Sequence, residues 1–479
     1  MKLLFVGAEA LPFASTGGLA DVLGSLPAAL KRAKGDDLDI RVVMPLYQTI
    51  SEKYRSEMVK VTEFYVQLAW RSQYCGVFSY ELDGVTYYFI DNLYYFSRGN
   101  LYGNFDDGER FAFFSMAVME MMGKIGFYPD VLHAHDWQSA LTVIYLRTKY
   151  SGVREYQNIR AIYTIHNIDY QGIYDFSILG DVFGLSDYER GIVEYNGLIN
   201  LTKGAIVCAD RVTTVSSRYA EEIQMDYFAA GLQHVLRMYS GKVMGIVNGI
   251  DVGYYDPETD PVLIKNYKVT SVKSGKAACK AELQRIFGLP EAPNTPIVAM
   301  VSRLASHKGF DLVKYAIERL LGRDVQFILL GTGESDLESF FENLQARYPE
   351  KVSILLAYNK DVSKQIYAGA DIFLMPSKSE PCGLAQMIAS RYGTVPVVRE
   401  VGGLYDTIHP YDPTTGQGNG VTFFSYDALD MLDAVNRAID LYNDADQWKK
   451  LRANAMKMDF SWMNSAVRYL QMYDEVLSF

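Results

Sequence analysis

The chain has 479 residues, 49% of them hydrophobic and 22% charged, with a formal net charge of −11. That length exceeds one ordinary core and predicts two or three domains at roughly 150 residues each. The acidic balance argues against nucleic acid or an anionic membrane as partner, since both demand clustered Lys and Arg. The first apolar run, Leu3 to Ala8, is too short for a secretory leader and predicts a buried strand; no run approaches the ~18 apolar residues of a membrane span. Behind it comes the loop "STGGLAD" (15–21), which has neither G-x-G-x-x-G spacing nor a G-K-[ST] ending, and then the helical pattern "GLADVLGSLPAALKRA". Strand-like runs follow in "IRVVMPL", "TYYFID", "DVLHAH", "AIYTIH", "RVTTVS" and "VMGIVNG", with helical "WQSALTVIYLRTKY" among them. Such alternation predicts an α/β domain over 1–250, a doubly wound parallel sheet with helices on both faces. After the polar, turn-rich "DVGYYDPETD" the rhythm restarts with "PIVAMVSRL", "VQFILLGTG", "VSILLAY", "DIFLMPS" and "TVPVVRE", a second doubly wound domain over 251–455. The last segment, 456–479, has helical periodicity. Cys75, Cys208, Cys279 and Cys382 are scattered without a C-x-x-C pair, the usage of a reduced, cytoplasmic protein.

Ligands of open parallel sheets bind beyond the carboxyl ends of the strands. There fall Glu9, the 15–21 loop, His133 to Trp137, His166, Asn167, Asn248, Arg303, Gly331 to Gly333, Tyr358 and Glu380. In "SRLASHKG", Arg303 and Lys308 make an anion site at a strand end, Arg as a fork and Lys as a point charge; the bland alternative is a solvated loop. "SKSEPCGLAQMIA" predicts a helix with Pro381 in its first turn, whose amides face a phosphate while Glu380 faces a neutral polyol; the bland alternative is a capping carboxylate. The near-copies "STGGLAD" and "EVGGLYD" place Gly17–Gly18 and Gly402–Gly403 between a strand and a helix, where missing side chains let amides approach a diphosphate. Two tight turns would look the same. His133, His135, Asp136 and His166 could ligate a metal, which would make the chain a metallohydrolase, but no further carboxylate cluster completes the shell and hydrogen-bonded sheet histidines are the commoner case. No metal or cofactor is therefore expected. Among the many aromatic residues, Trp137 and Tyr95 are candidates for stacking on sugars.

Seven stretches in this order, "ASTGGLADVLGSLP", "HAHDWQ", "TIHN", "VNGID", "SRLASHKG", "SEPCGLAQMIA" and "VGGLYDTI", resemble the bacterial glycogen synthase and plant starch synthase family. These are retaining glucosyltransferases of the GT-B fold, two Rossmann-like domains facing across a cleft, and the likeness runs from Met1 to the last helix. It implies transfer of glucose from ADP-glucose to the non-reducing end of an α-1,4-glucan or malto-oligosaccharide, and a last helix that crosses back onto the first domain. It implies catalytic roles for Glu380 beside the glucose ring, for His166, and for Arg303 and Lys308, which neutralise the leaving diphosphate in place of a metal. His166 and Asn248 would hold sugar hydroxyls, Tyr358 would lie near adenine, and the rest of the donor site would comprise Ser15, Thr16, Gly17, Gly18, Asn167, Gly331, Cys382, Gly383, Leu384, Gly402 and Gly403. Glu9 and Asp21 would face the acceptor, with His135, Asp136 and Trp137. The chain departs from the family where Lys-Thr-Gly-Gly is usual: Ser15 replaces the lysine, which predicts either weaker donor binding through this loop or compensation by another group, and a looser preference for ADP over UDP. The rivals are a UDP-sugar transferase, a phosphorylase, whose pyridoxal-phosphate lysine no motif announces, and a non-catalytic glucan-binding protein, against which Arg303, Lys308 and Glu380 argue.

Overall fold

The computed structural model describes residues 1–478. The chain forms two compact units: residues 1–248 together with the terminal helix Trp462–Leu477, and Gly249–Ser461.

In the first unit nine strands form one sheet, in the order Val243–Gly245, Arg211–Thr214, Arg160–Ile165, Val131–His135, Lys2–Val6, Asp39–Pro45, Val85–Asp91, Arg71–Leu82 and Val59–Leu68. The first seven run parallel. Leu3, Leu4, Phe5 and Val6 are all fully buried, because helices cover both faces of a parallel sheet and its strands become continuous apolar runs. The last two strands pair antiparallel, unlike the parallel sheet that the alternation predicts. Glu63, Tyr65 and Gln67 on this edge are exposed while Phe64, Val66 and Leu68 are buried. One wet face is open only to an antiparallel edge, and it breaks up the apolar run by which a strand is recognised. The terminal helix packs on the helix Gly18–Lys34, burying Trp462, Ala466, Tyr469, Met472, Tyr473 and Val476 at the three-and-four spacing of an amphipathic helix.

The second unit has six parallel strands in the order Val352–Leu355, Gln326–Leu330, Ile297–Val301, Ile372–Met375, Val395–Arg399 and Val421–Phe423. In each sheet the chain leaves its first strand in one direction and later returns to that strand's other side. The order thus reverses between Lys2–Val6 and Val131–His135 in the first unit, and between Ile297–Val301 and Ile372–Met375 in the second. Crevices open at the carboxyl ends of such strand pairs. Among the described residues no helix is long and apolar enough to cross a membrane.

Candidate active site

In the second unit the loops after the two switch-point strands meet. Lys378 N–H donates to the His307 carbonyl (2.8 Å), and a Cβ on Gly309, whose φ is +80°, would fall 2.0 Å from the Pro376 carbonyl oxygen. This close approach brings Lys308 to Glu380: Nζ donates to Oε1 at 2.9 Å and Oε2 at 2.7 Å. Ser377 Oγ donates to Oε2 at 2.9 Å. Glu380 is buried, so its charge is tolerable only because it is paired and hydrogen-bonded. Arg303, in the same loop as Lys308, is exposed and has no ion-pair or hydrogen-bond partner for its guanidinium among the described residues. The next loop lies flush against it, since a Cβ on Gly331 would sit 1.8 Å from the Ser302 carbonyl oxygen. Tyr358, beyond Val352–Leu355, is 84% exposed.

The helix predicted to begin near Pro381 starts instead at Ala385, with Leu384 at its N-cap position. Gly383 adopts φ +73°, and the Gln386 side chain donates to the carbonyls of Cys382 (3.1 Å) and Gly383 (2.9 Å), holding 381–384 outside the helix. Glu380 therefore caps nothing; its carboxylate belongs to Lys308. The two Gly-Gly loops also prove different. Gly403 N–H donates to the Glu380 (3.1 Å) and Pro381 (3.2 Å) carbonyls, so it is not free for a diphosphate. A Cβ on Gly402 would lie 1.9 Å from the Glu380 carbonyl oxygen, and one on Gly403 2.1 Å from that of Cys382. These glycines exist so that the segment carrying Glu380 can lie on them. Around Gly17 and Gly18, by contrast, nothing lies within 4 Å of an added Cβ, and Gly17 has an extended φ of −171° that any residue adopts. Packing does not demand glycine there. Gly402→Ala is accordingly expected to cost about 3 kcal/mol of stability, read as a drop in Tm, whereas Gly17→Ala leaves Tm unchanged.

In the first unit Glu9 follows the Lys2–Val6 strand and is 3% exposed. Its carboxylate accepts from Thr16 Oγ1 (2.7 Å), from Thr16 N–H and from Tyr102 O–H (2.7 Å). Glu9 is thus the anchor that fixes the 15–18 loop, where Ser15, Gly17 and Gly18 stand exposed. Tyr102 and Ser377 carry no spacing signal in the sequence, and only the fold shows their part. Asp21 lies in the first turn of Gly18–Lys34. Asn248 is buried, yet its Oδ1 has no partner, an unsatisfied acceptor of the kind that marks a ligand contact or a bound water.

At the end of Val131–His135, Asp136 has φ +58°, a costly conformation for a non-glycine residue and one that clusters at working sites. Its Oδ1 accepts the His166 N–H at 2.7 Å, while Asn167 Oδ1 accepts the Asp169 N–H at 3.0 Å. Burial pushes the Asp136 carboxyl up to about 7, against the amides of His166 and Asn167 that pull it down. His133 sits between Tyr473 Oη (2.8 Å) and Thr164 Oγ1 (2.6 Å), and His135 Nδ1 lies 2.9 Å from His166 Nε2. Burial drives His133 and His166 down to about 3 and His135 well below its usual range, so all three rings are neutral. The side chains that could have bound a metal face hydroxyls, amides and each other, and among the described residues no cluster of three or more His, Cys, Asp or Glu could hold one. Trp137 opens the helix Trp137–Arg147 and packs edge-on to Phe111 with ring centroids 5.3 Å apart. Tyr95 is fully buried and donates to Glu109 at 2.6 Å, which removes it from the sugar-stacking candidates. Asp136→Asn keeps an acceptor for the two amides and removes the buried charge. Because the wild-type carboxyl holds its proton more tightly folded than unfolded, it weakens the fold progressively from about pH 4 to pH 7. The residue as a whole is only half-buried, so the variant's gain is expected to be about 2 kcal/mol, half of what such a shift carries in a sealed site. A pH series of Tm should show no gain near pH 4 and a plateau above pH 7.

Comparison with known proteins sets this geometry in context. Residues 2–238 match the family model "Starch synthase catalytic domain" and residues 283–456 match "Glycosyl transferases group 1". The chain is 47% identical to the glycogen synthase of Ligilactobacillus salivarius over 100% of both chains. It belongs to the glycogen synthase and starch synthase family. The glycogen synthase of Bacillus cereus is 46% identical, again over 100% of both. The catalytic domain of Arabidopsis thaliana starch synthase IV, solved with ADP and acarbose, superposes with a TM-score of 0.92 at 34% identity, covering 100% of this chain and 99% of that one. The chain is thus a glucosyltransferase of the GT-B fold, and the metallohydrolase reading falls.

Proposed function

We propose that this glucosyltransferase moves glucose from ADP-glucose to the non-reducing end of an α-1,4-glucan or malto-oligosaccharide and retains the anomeric configuration. The observation that carries the proposal is the Lys308–Glu380 pair, with Arg303 in the same loop and without a guanidinium partner among the described residues, at the sheet's switch point. Two cations and one buried carboxylate at that edge suit a glucosyl diphosphate: the cations meet the phosphates, and the carboxylate faces a ring that becomes positive. As the bond from C1 to the diphosphate oxygen breaks, its electron pair leaves with ADP. Arg303 and Lys308 oppose that growing charge without reorganising, which is where fixed charges lower a barrier most.

No carboxylate is assigned as a nucleophile on the opposite face. The acceptor hydroxyl therefore attacks C1 from the side the diphosphate leaves, and its proton passes to a phosphate oxygen. Asn248 Oδ1, a buried acceptor in want of a donor, takes a sugar hydroxyl, as His166 does through its ring. The open Gly17–Gly18 loop offers amides to the donor, and exposed Tyr358 stacks on adenine. The starch synthase solved with ADP and acarbose supports a nucleotide and a glucan-like ligand in this fold. The free thiols of Cys75, Cys208, Cys279 and Cys382 suit a reduced cytoplasm. Ser15, which supplies no cation, leaves UDP-glucose as a second donor.

The test is to incubate the protein with ADP-glucose or UDP-glucose, with and without glycogen, in a chelator, and to measure released nucleotide and α-1,4 product. Glycogen-dependent ADP release that resists the chelator is expected. Faster turnover of UDP-glucose would overturn the donor assignment, and a glucosyl-enzyme ester trapped by mass spectrometry would overturn the same-face mechanism.

A further inference from the structure

His135 is fully buried, its ring stacked 5.3 Å from Phe5 and 4.2 Å from His133, out of reach of any sugar. Its two nitrogens are nonetheless unequal. Nδ1 lies 2.9 Å from His166 Nε2, while Nε2 is sealed from solvent without a hydrogen-bond partner. Both rings are neutral, so each carries one N–H and one lone pair. Two arrangements satisfy the contact. If His166 donates from Nε2, His135 must keep its own proton on Nε2, where the N–H is buried and has no acceptor. If His135 donates from Nδ1, the sealed atom is a bare lone pair, and the His166 proton sits on Nδ1. Buried N–H groups without acceptors are the rarer defect, which selects the second arrangement. His166 Nδ1 has no hydrogen-bond partner among the described residues and is not among the sealed atoms. Asp136 fixes the same residue from the other side through its backbone amide.

We propose that His135 is a positioning residue that holds His166 as its Nδ1–H tautomer, so that His166 presents a hydrogen-bond donor, and no base, to an oxygen of the sugar. This rests on the reading in which His166 touches the donor sugar. It commits that contact to a hydroxyl oxygen acting as acceptor, and it excludes His166 as the group that removes the acceptor's proton.

The chain has six histidines, few enough for nitrogen-15 labelling of the rings with His166→Ala as the assignment control. The wild-type protein should show His166 protonated at Nδ1 and bare at Nε2. His135→Leu removes the donor, and the His166 signals should move toward a mixture of tautomers while kcat falls roughly tenfold, the worth of one hydrogen bond. His135→Asn, whose amide N–H replaces Nδ1–H, should restore the single tautomer and most of kcat. The wild-type tautomer and the asparagine variant decide the matter even if the leucine variant fails to fold. A His166 proton on Nε2 in the wild type, or a folded leucine variant with unaltered ring signals, would overturn the proposal. Unchanged turnover in His166→Ala with the tautomer as stated would instead remove the sugar contact and leave the positioning intact.

Discussion

In the Arg303→Ala protein kcat for glucosyl transfer is expected to fall by about 10²–10³, the loss that follows removal of one fixed group opposing transition-state charge. Tm should stay within the equivalent of ~0.5 kcal/mol, because an exposed guanidinium with no partner among the described residues supports nothing in the fold. Glucan affinity, measured without donor, should also be unchanged. A loss of Tm as large as the loss of activity would show that Arg303 is a structural residue and would remove it from the phosphate clamp.

Lys308→Ala is expected to lower kcat at least as far, but with a different signature. Glu380 is 6% exposed and holds Lys308 through both carboxylate oxygens. Stripping a buried charge of its partner costs 3–5 kcal/mol where both groups are sealed; the Lys308 side chain is 20% exposed, so about 2 kcal/mol is the expected loss. The double variant Lys308→Ala/Glu380→Gln should regain most of that stability, since the amide needs no cation and can still accept from Ser377, yet recover no turnover. Thermal unfolding and steady-state kinetics on the three proteins separate the two roles. Recovery of activity in the double variant would mean that Lys308 serves only to neutralise Glu380.

The placement of these residues at strand ends was legible in the sequence, for a physical reason. Parallel strands covered on both faces read as unbroken apolar runs, so their carboxyl ends can be located, and Glu9, His135, His166, Arg303 and Glu380 follow such ends closely. What escaped is what depends on neighbours distant in sequence. The edge hairpin Val59–Leu68 with Arg71–Leu82 mixes wet and dry residues and looks like neither helix nor buried strand. The two Gly-Gly loops are near-copies as letters, but one carries the backbone of Glu380 and the other faces open space. Pro381 suggested a helix start that the Gln386 side chain moves back to Ala385. Tyr95 looked like a sugar platform and is core, while Tyr102, in the same aromatic stretch, holds Glu9.

The terminal helix has a consequence for how the protein is made. Its face covers Gly18–Lys34, and Tyr473 bonds the buried His133, yet the whole of Gly249–Ser461 is translated before it. On the ribosome, the first half of the polypeptide must wait with an apolar flank open to chaperones and to other nascent chains until Trp462–Leu477 emerges. A stop codon shortly before Trp462 would leave that flank bare for good, and the shortened product would be a target for aggregation and proteolysis although every proposed substrate contact was still encoded.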